Sequence, residues 1–256
     1  MHVPSPPRGP DFVKPPKPLG NKAYGSTPHL VGSRLGPGDY SLTQEHSDLF
    51  TGNRKRRNRS DRIIVTEKID GSCVAVAKLD GDVVALQRAG YLAATSPFAL
   101  HHAFDRWVAA RRDYFDAFLG EDERVVGEWL HTAMGTRYDI VDPDRLFISF
   151  AIFHDRYSTD RAIYDEFRTR TDSAGLPRAG LISEGPGIGI EEVMEKLGER
   201  GLHDAIDGVE GAVWIMETDG AFNGVAKFVK ADKVDGKYIS GVTGGADIVN
   251  YRGPAF

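Results

Sequence analysis

Short apolar runs bounded by turn residues dominate the hydrophobic pattern of the chain. Two pairs of runs flank an Asp-Gly dipeptide, Asp80-Gly81 and Asp219-Gly220, and this arrangement is a strong signal for a β-hairpin. Strands are predicted over residues 62–65, 73–79, 82–88, 124–130, 146–153, 209–217 and 221–229. Because the runs are short and the hairpins are antiparallel, the pattern predicts an α+β fold of mainly antiparallel sheets flanked by helices.

Apolar residues at helical spacing predict helices between these strands. The helices are predicted over residues 97–119, from about 158 to 174, and over about 191–199. Ser96 and Pro97 supply the N-cap and the first-turn residue of the first helix. The glycine-rich residues 185–189 have the wrong spacing for a dinucleotide-binding loop and follow no predicted strand, so we interpret them as a plain loop.

Hairpin geometry predicts which side chains meet across the first hairpin. The two-residue turn at Asp80-Gly81 sets the register, and counting back along both strands places Cys73 opposite Arg88. Arg88 is therefore expected close to Lys68, which stands just before the second strand of the chain begins.

The same counting applies to the second hairpin. Across the Asp219-Gly220 turn, Ala212 is expected to face Lys227, which puts Glu210 and Lys227 on one face of the hairpin. Lys230 then falls on the other face, unless a bulge or the strand end re-aims it.

The most informative stretch is the end of the first predicted strand, at Lys68. This lysine lies between an apolar strand and an Asp-Gly turn, with Glu67 and Asp70 beside it. Partial burial there would lower the pKa of the amine from about 10.4 toward roughly 7–8 and make it nucleophilic near neutral pH. A solvated surface charge is the plainer interpretation, because a Lys-x-Asp-Gly string alone is common.

Composition narrows the classes of function. The formal net charge of −5 argues against a globally basic surface, so a nucleic-acid site would have to be local. The single cysteine, Cys73, excludes an internal disulfide and a cysteine-cluster metal site. No apolar run approaches the ~18 residues of a membrane span, and the N-terminus lacks a signal-peptide core. We therefore expect a cytoplasmic protein with no membrane partner.

Length and proline content predict the domain organisation. Residues 1–18 carry seven of the fourteen prolines and almost no apolar periodicity. We therefore predict a proline-rich, disordered arm over residues 1–20. Residues 21–256 show no internal repeat and no internal boundary, and they are predicted to form a single domain.

Two positively charged segments are candidates for binding phosphates or nucleic acid. Residues 27–38 form a glycine-punctuated loop whose backbone amides, with Arg34, could hold a phosphate, and an ordinary surface loop is an equal alternative. Residues 54–59 carry the densest positive charge of the chain and stand just before the Lys68 strand. A solvated surface and a nucleic-acid rim remain equally open for this run.

The chain contains no Walker-type phosphate loop, so side chains of a sheet cleft would have to hold a nucleotide. Attack by an amine on an α-phosphate needs positive charge on the phosphates, which Arg88, Lys227 and Lys230 could supply. It also needs acids for the ribose or a metal ion, and Glu128 and Glu210 are the candidates. Glu128 stands within an apolar strand, which indicates either ligand contact or a sheet-edge carboxylate facing water. Phe150 could stack on the base.

These residues resemble the motifs of a known superfamily. The string Glu67-Lys68-Ile69-Asp70-Gly71 resembles motif I of the covalent nucleotidyltransferases, the ligases and capping enzymes that form a lysyl-nucleotide intermediate. The other matches are Gly127-Glu128-Trp129 with motif III, the phenylalanine-rich strand around Phe150 with motif IIIa, Val209-Glu210-Gly211-Ala212-Val213 with motif IV, and Ala226-Lys227-Phe228-Val229-Lys230 with motif V. The resemblance covers about residues 24–232.

Within that superfamily the chain is most similar to the RNA ligase 2-like group. Arg88 matches the ATP-contacting arginine of that group, and the loop around His29 and Arg34 looks like that of its bacterial and phage members. Cys73 departs from the pattern, because DNA ligases and capping enzymes carry arginine there and these RNA ligases often carry asparagine. The two motif V lysines are three residues apart here, whereas the family commonly shows two.

The resemblance implies a nucleotidyltransferase fold around an ATP cleft and an ATP-dependent RNA ligase with a lysyl-AMP intermediate. RNA 3′-OH and 5′-phosphate ends, in single strands or a nicked duplex, would be the substrates, with Mg²⁺ or Mn²⁺ as the metal ion. The implied catalytic residues are Lys68, Lys227 and Lys230. The implied ATP-binding residues are Glu67, Ile69, Arg88, Glu128, Phe150 and Glu210, of which Glu128 and Glu210 would also bind the metal. The implied RNA-binding residues are Arg34, Arg54, Lys55, Arg56 and Arg57.

Family members usually carry a further C-terminal domain for RNA ends, which we do not expect here. A partner protein supplying end binding in trans would then complete the reaction. The alternatives are a DNA ligase, a capping-type nucleotidyltransferase, or a catalytically idle nucleic-acid-binding module. Retention of Lys68, Glu128 and Glu210 together argues against the idle module.

Overall fold

The computed structural model describes residues 15–54, 58–157 and 159–254. The strands are β1 Arg62–Lys68, β2 Ser72–Leu79, β3 Asp82–Gln87, β4 Arg124–Trp129, β5 Phe147–Phe153, β6 Leu181–Gly185, β7 Gly211–Thr218 and β8 Ala221–Val229. The helices are α1 Gln44–Thr51, α2 Ala99–Ala109, α3 Arg112–Phe118, α4 Tyr164–Ala174, α5 Ile190–Leu197 and α6 Ser240–Thr243. Single 3₁₀ turns cover Ala93–Thr95 and Pro143–Leu146.

The strands form two four-stranded antiparallel sheets. One sheet has the order β6-β1-β7-β8 and the other the order β3-β2-β4-β5. This arrangement confirms the predicted α+β class with mainly antiparallel sheets and flanking helices. Because β1 and β2 are consecutive in the chain but belong to different sheets, Lys68 at the end of β1 lies where the chain crosses between the sheets.

Period-two alternation in β1 decides what each face of the first sheet buries. Ile63 and Val65 pack with Trp214 in one apolar cluster. The side chains between them point to the opposite face, where Thr66 and Lys68 border a cleft. The other face also carries Ile64, which is buried in the main core cluster, so only the end of β1 near Thr66 and Lys68 opens to the cleft.

Aromatic residues cover the outer face of the second sheet. Phe104 and Trp107 of α2 pack on Trp129, with ring centroids 5.3 and 5.4 Å apart. The predicted helix over residues 97–119 is in fact two helices, because Arg111 between α2 and α3 has the non-helical dihedrals φ −122° and ψ 23°. The first helix begins at Ala99, two residues later than predicted.

The register of the β2–β3 hairpin is as predicted. Val74 faces Gln87, and the amide of Arg88 donates to the carbonyl of Cys73 at 3.2 Å. The turn residues Asp80 and Gly81 have φ values of 55° and 80°, as a tight two-residue hairpin turn requires.

The register of the β7–β8 hairpin differs by one residue from the prediction. A bulge near the turn makes Glu217 face Phe222 and Met216 face Gly224, which leaves Asn223 as the extra residue. The amide group of Asn223 donates to the hydroxyl of Thr218 at 2.8 Å, which stabilises the bulge. Lys227 therefore faces Val213, and the predicted pairing with Ala212 is wrong.

Two further elements correct the sequence interpretation. The edge strand β6 was not predicted. Gly185 is its last residue, so the glycine-rich loop over residues 186–189 does follow a strand. The residues of β6 are half-buried or exposed, which explains the weak apolar signal. Helix α4 begins at Tyr164, later than the predicted start near Ser158, a residue outside the described ranges.

The predicted proline-rich arm falls mostly on residues 1–14, which lie outside the described residues. Near its predicted end, Leu19 is fully buried and packs with Ala75 and Ala77 of β2. The division into an arm and a single domain over residues 21–256 stays a prediction. Within the described residues, none of the helices is both long enough and apolar enough to cross a membrane.

Candidate active site

A cleft between the two sheets brings together most of the predicted site residues. Three of the predicted cationic side chains line it: Lys68, Arg88 and Lys227. The other predicted residues on its wall are Glu67, Ile69, Glu128 and Phe150. Glu210 joins them through a contact with Lys68, described below.

Lys68 is held as a charged ammonium. Its Nζ lies 2.6 Å from Oε2 of Glu210. Burial alone would lower the pKa of Lys68, but the carboxylates of Glu210, Glu128 and Asp70 outweigh burial and raise that pKa above its ordinary value. The predicted fall of the Lys68 pKa is therefore wrong for the free protein, because the sequence showed only the neighbouring acids and not the ion pair.

The carboxyl groups around Lys68 outnumber the lysine and repel one another. Burial, reinforced by the charge of Glu210, raises the pKa of Glu128 to about 8 and that of Asp70 to about 7. Oδ2 of Asp70 accepts a hydrogen bond from the amide of Gly135 at 3.0 Å. Glu128 and Asp70 therefore titrate near neutral pH, and a cation that enters the cleft would favour their ionised forms.

Close backbone approach brings the Lys68 turn against Glu128. A Cβ at Gly71 would lie 2.9 Å from the carbonyl oxygen of Trp129 and 3.2 Å from Cβ of Glu128. Only glycine fits there without displacing β4. The Asp-Gly turn after Lys68 thus serves close packing between the two sheets.

Three adjacent strands place Arg88, Cys73 and Glu128 in one row across the second sheet. Cys73 on β2 pairs with Glu128 on β4. On the other side of β2, the amide of Arg88 donates to the carbonyl of Cys73. Because β4 lies between β2 and β5, the interpretation of Glu128 as a sheet-edge carboxylate is wrong. Nη2 of Arg88 donates to the carbonyl of Gly25 at 2.9 Å, which fixes its position at the cleft.

Phe150 reaches the cleft through a second bulge. Gly127 faces Ser149 and Val126 faces Ala151, so Phe150 is the extra residue on β5. Such a bulge re-aims a side chain. Tyr24 meets the Phe150 ring edge-on, with centroids 5.0 Å apart, and also lines the cleft.

The N-terminal loop supports Lys227. The amide of Lys227 donates to the carbonyl of Pro28 at 2.9 Å, and Nζ of Lys227 lies 3.6 Å from Asp39. Nε2 of His29 is 3.1 Å from Asp39, close enough for an ion pair although without hydrogen-bond geometry. Burial and the nearby charge of Lys68 lower the pKa of Lys227.

The loop over residues 27–38 supports the fold more than it offers amides to a ligand. The amides of Ser33, Arg34 and Gly36 all donate to protein acceptors. The guanidinium of Arg34 pairs with Asp235 at 2.9 Å. These groups are already engaged in the free protein, so the predicted phosphate site on this loop lacks these amides.

The Glu67 side chain turns away from Lys68. Its Oε2 accepts a hydrogen bond from the amide of Leu202 at 2.6 Å. Gly201 has φ 63°, and a Cβ there would overlap the carboxylate of Glu67, so a side chain would displace Glu67. Burial raises the pKa of Glu67 to about 7. Its carboxyl group therefore ties the end of β1 to residues 201–202, while the residue also lines the cleft.

Several predicted residues lie apart from the cleft wall. Nζ of Lys230 is 3.7 Å from Asp232, and its side chain is 35% exposed. Arg54 pairs with Glu45 on the surface. The remaining predicted RNA-binding residues lie outside the described residues: Lys55, Arg56 and Arg57.

No metal centre is evident in the described part of the chain. Within it, no group of three or more His, Cys, Asp or Glu side chains is arranged to hold an ion. In the free protein the two predicted ligands, Glu128 and Glu210, face the Lys68 ammonium, which balances part of their negative charge. Their oxygen atoms are nevertheless the donor type that Mg²⁺ and Mn²⁺ prefer.

The comparison with protein families shows which family the chain belongs to. Residues 61–229, more than half of the chain, match the RNA ligase family. The chain belongs to the RNA ligase family. The match runs from just before β1 to the end of β8 and so includes both sheets.

Solved structures agree with this family at the level of the fold. A lysine-to-alanine mutant of Naegleria gruberi RNA ligase with ATP and Mn has a TM-score of 0.50 and 16% identity, over 85% of this chain and 61% of the matched chain. A lysine-to-methionine mutant with AMP and Mn has the same score and identity, over 82% and 61%. An archaeal ATP-dependent RNA ligase has 24% identity and a TM-score of 0.49, over 66% and 43%.

This RNA ligase family member therefore spans only part of the length of those structures, between 43% and 61% in the three comparisons. A comparison with curated proteins finds no match.

Sequence reasoning missed several side chains that border the cleft. Tyr24, Thr66 and Arg161 line it, and Asp39 contacts Lys227 beside it. Thr66 could have been found, since it alternates with Lys68 along β1. Arg161 and Asp39 come from loops, whose long-range contacts leave no periodic signal in the sequence.

Proposed function

We propose that this protein is an ATP-dependent RNA ligase that acts through a covalent lysyl-AMP intermediate. The observation that carries the proposal is the setting of Lys68. Its amine stands in a cleft between two sheets, with Arg88 and Lys227 lining the same cleft and Glu210 at 2.6 Å. A nucleophile, cationic groups for phosphates and an acceptor for the amine proton are what the first step of ligation needs.

In the proposed first step, Nζ of Lys68 attacks the α-phosphate of ATP. A nitrogen–phosphorus bond forms, the bond from the α-phosphorus to the bridging oxygen breaks, and pyrophosphate leaves. The amine must lose a proton, and Glu210 is the acceptor at hydrogen-bond distance. Because the free protein holds Lys68 as an ammonium, binding of ATP must weaken this ion pair before attack.

The remaining cleft residues have distinct proposed roles. Arg88 and Lys227 neutralise the phosphates, and Lys230 is a second, more remote contact. Phe150 stacks on the base, beside Ile69, while Glu128 holds the ribose. Glu128 and Glu210 would also hold a divalent cation, which supplies positive charge to the triphosphate when bound. The Naegleria gruberi structures named with ATP and Mn support a divalent cation of the Mg²⁺ or Mn²⁺ type.

In the second and third steps, AMP passes to an RNA 5′-phosphate and a 3′-OH displaces it. A surface with Arg34 and Arg54 would bind the RNA strand or nicked duplex, together with residues 55–57. We propose that a partner protein supplies further binding of RNA ends, and that the chain acts in the cytoplasm as a single domain.

Labelling with α-³²P-ATP and Mg²⁺, followed by denaturing electrophoresis, tests the proposal. Label should remain on the denatured wild-type protein and vanish in Lys68→Ala. Lys78→Ala is the matched control, because Lys78 is a β2 lysine paired with Asp116 outside the cleft. Label that persists in Lys68→Ala would contradict the assignment.

Two further arms of the experiment separate the alternatives. Labelling by GTP in place of ATP would indicate a capping-type enzyme. Sealing of nicked DNA in preference to nicked RNA would indicate a DNA ligase. A wild-type protein that binds RNA but takes no label would be an idle binding module.

A further inference from the structure

Arg161 is a buried arginine on the wall of the cleft that no step of the proposed mechanism uses. Arg161 is only 8% exposed, and its side chain borders the same cleft as Phe150. Nη2 donates to the backbone carbonyl of Phe150 at 3.1 Å, and the guanidinium lies 5.0 Å from the ring centroid of Phe222. The guanidinium is therefore fixed beside the proposed base-stacking residue.

Strand register places this arginine at the end of the cleft remote from Lys68. Lys68 faces Gly211 at the start of β7, whereas the cleft residue Ile215 lies four positions further along that strand. Four residues of extended chain span about 13 Å. The Arg161 guanidinium lies against the ring of Phe222, which pairs with Glu217, two residues beyond Ile215 on β7. A nucleotide with its α-phosphate at Lys68 would thus point its base toward Arg161.

The hydrogen-bonding capacity of Arg161 is largely unused. A guanidinium has five N–H donors, and within the described residues Arg161 makes one hydrogen bond and no ion pair. Arg124 provides the contrast, because its Nε donates to the backbone carbonyl of Ala23 at 3.0 Å and its Nη1 to the backbone carbonyl of Asp155 at 2.8 Å. The unpaired guanidinium nitrogens of Arg161 are not sealed from solvent, so they are open to the acceptors of a ligand that enters the cleft.

We infer that Arg161 recognises the nucleobase by donating a hydrogen bond to a ring nitrogen of a purine stacked on Phe150. A guanidinium can only donate, so it selects a base edge that presents an acceptor. Adenine presents acceptors at N1, N3 and N7, and its exocyclic amino group would be disfavoured at this position. Arg161 is thus a specificity-determining residue, and this role rests on the proposed nucleotide cleft.

Binding of AMP analogues tests this role without requiring covalent chemistry. The dissociation constants of AMP, 1-deaza-AMP, 3-deaza-AMP and 7-deaza-AMP are measured by calorimetry, since each analogue replaces one ring nitrogen by C–H. For the wild-type protein, one analogue should bind at least about tenfold more weakly than AMP, as expected for loss of a charge-assisted hydrogen bond. In Arg161→Met, AMP and that analogue should bind equally.

Arg124→Met is the matched control, because it removes another buried arginine that does not border the cleft, and it should keep the wild-type ratio. Equal binding of all four nucleotides by the wild-type protein would overturn the inference even if Arg161→Met failed to fold. An unchanged ratio in Arg161→Met would also overturn it. If α-³²P-ATP labels Lys68 while the deaza ratios are flat, only the inference fails; if AMP does not bind at all, the nucleotide cleft itself fails.

Discussion

Lys68 and Lys227 border the same cleft, yet their surroundings act on them in opposite ways. Lys68 has Glu210 at 2.6 Å and two more carboxyl groups near it, and these raise its pKa. Lys227 has Asp39 at the longer distance of 3.6 Å and feels the positive charge of Lys68, and its pKa is lowered. Burial disfavours the charge on both lysines, so the difference comes from their neighbours.

This contrast separates two chemical tasks. A lysine that must attack has to lose its proton, while a lysine that must hold a phosphate has to keep it. In the free protein each lysine is biased against its proposed task. The triphosphate would change both, because its negative charge favours the ammonium of Lys227 and competes with Glu210 near Lys68. Binding of ATP would therefore shift the protonation of both lysines toward the states that their proposed tasks require.

The largest expected effect concerns the two motif V lysines. Lys227→Ala should slow lysyl-AMP formation about 100- to 1000-fold, since a preorganised charge at a developing transition state is worth about 3–4 kcal/mol. Lys230→Ala is the control, and it should cost much less because Lys230 points toward Asp232. Single-turnover labelling with α-³²P-ATP measures both rates. A larger loss in Lys230→Ala would mean that the loaded cleft recruits the outer lysine.

The second prediction concerns the pH dependence set by Glu210. Lys68 has a raised pKa, so below that pKa the labelling rate should rise about tenfold per pH unit as the amine loses its proton. Removing the negative charge in Glu210→Gln lowers the Lys68 pKa and should move this rising limb to lower pH by about 1–3 units. The maximum rate should also fall if Glu210 holds a cation.

Rates of label incorporation at saturating ATP from pH 5 to 11 would locate the pH at which each profile levels off, which reports the Lys68 pKa independently of the maximum rate. Glu217→Gln is a suitable comparison, because Glu217 lies at the other end of β7 and contacts Arg62. A rising limb at the same pH in wild type and Glu210→Gln would show that Glu210 does not control the Lys68 charge.

The third prediction concerns the stability of the carboxyl cluster. The pKa of Glu128 is raised to about 8, so the folded state binds its proton more tightly than the unfolded state does, and stability falls as pH rises from about 4.5 through 8. Glu128→Gln should therefore raise Tm at pH 9 and leave it unchanged at pH 4. A gain of about 1 kcal/mol corresponds to about 2–4 °C.

Glu123→Gln should behave in the opposite way in the same thermal melts. Hydrogen bonds from Arg170 and the Gly120 amide overcome burial and lower the pKa of Glu123 to about 2. Its carboxylate therefore stabilises the fold above about pH 4.5, and this stabilisation is lost as pH falls toward 2. If Glu128→Gln lowered Tm at pH 9 as Glu123→Gln should, Glu128 would be a structural ion-pair residue rather than a strained site carboxylate.

The two lysines also show how far sequence reasoning reaches. The position of Lys68 and its proximity to Arg88 followed from a strand end and a two-residue turn, both local features. The prediction that Lys227 enters the cleft rested on a register that Asn223 alters by one residue, and a bulge of that kind leaves no signal in the apolar pattern.

The pKa shifts of Lys68 and Lys227 could not be predicted from the sequence for a related reason. The Glu210–Lys68 contact joins residues 142 positions apart, and the Asp39–Lys227 contact depends on a loop packed along β8. Pairing of β-strands is recoverable from alternation, whereas a pKa depends on which side chains those strands finally bring together. The antiparallel fold was therefore more accessible from the sequence than the electrostatics of the site.

The smallest expected effect concerns Asp39, the carboxylate that supports Lys227. Asp39→Asn removes a negative charge 3.6 Å from the Lys227 ammonium while keeping a side chain of the same shape. Since a half-exposed ion pair is worth about 0.2–1 kcal/mol, the labelling rate near neutral pH should fall only about two- to fivefold. The loss should grow at alkaline pH, because the Lys227 pKa is already lowered and falls further without Asp39.

The falling alkaline limb of the rate profile should thus move to lower pH, while Glu210→Gln moves the rising limb. Asp235→Asn is the matched control, because Asp235 is an exposed acid whose partner is Arg34 and not Lys227. Its profile should retain the wild-type alkaline limb. If Asp39→Asn lowered the rate equally at every pH, Asp39 would act by positioning the loop around His29 and not through the charge of Lys227, and the electrostatic contrast between the two lysines would rest on burial and Lys68 alone.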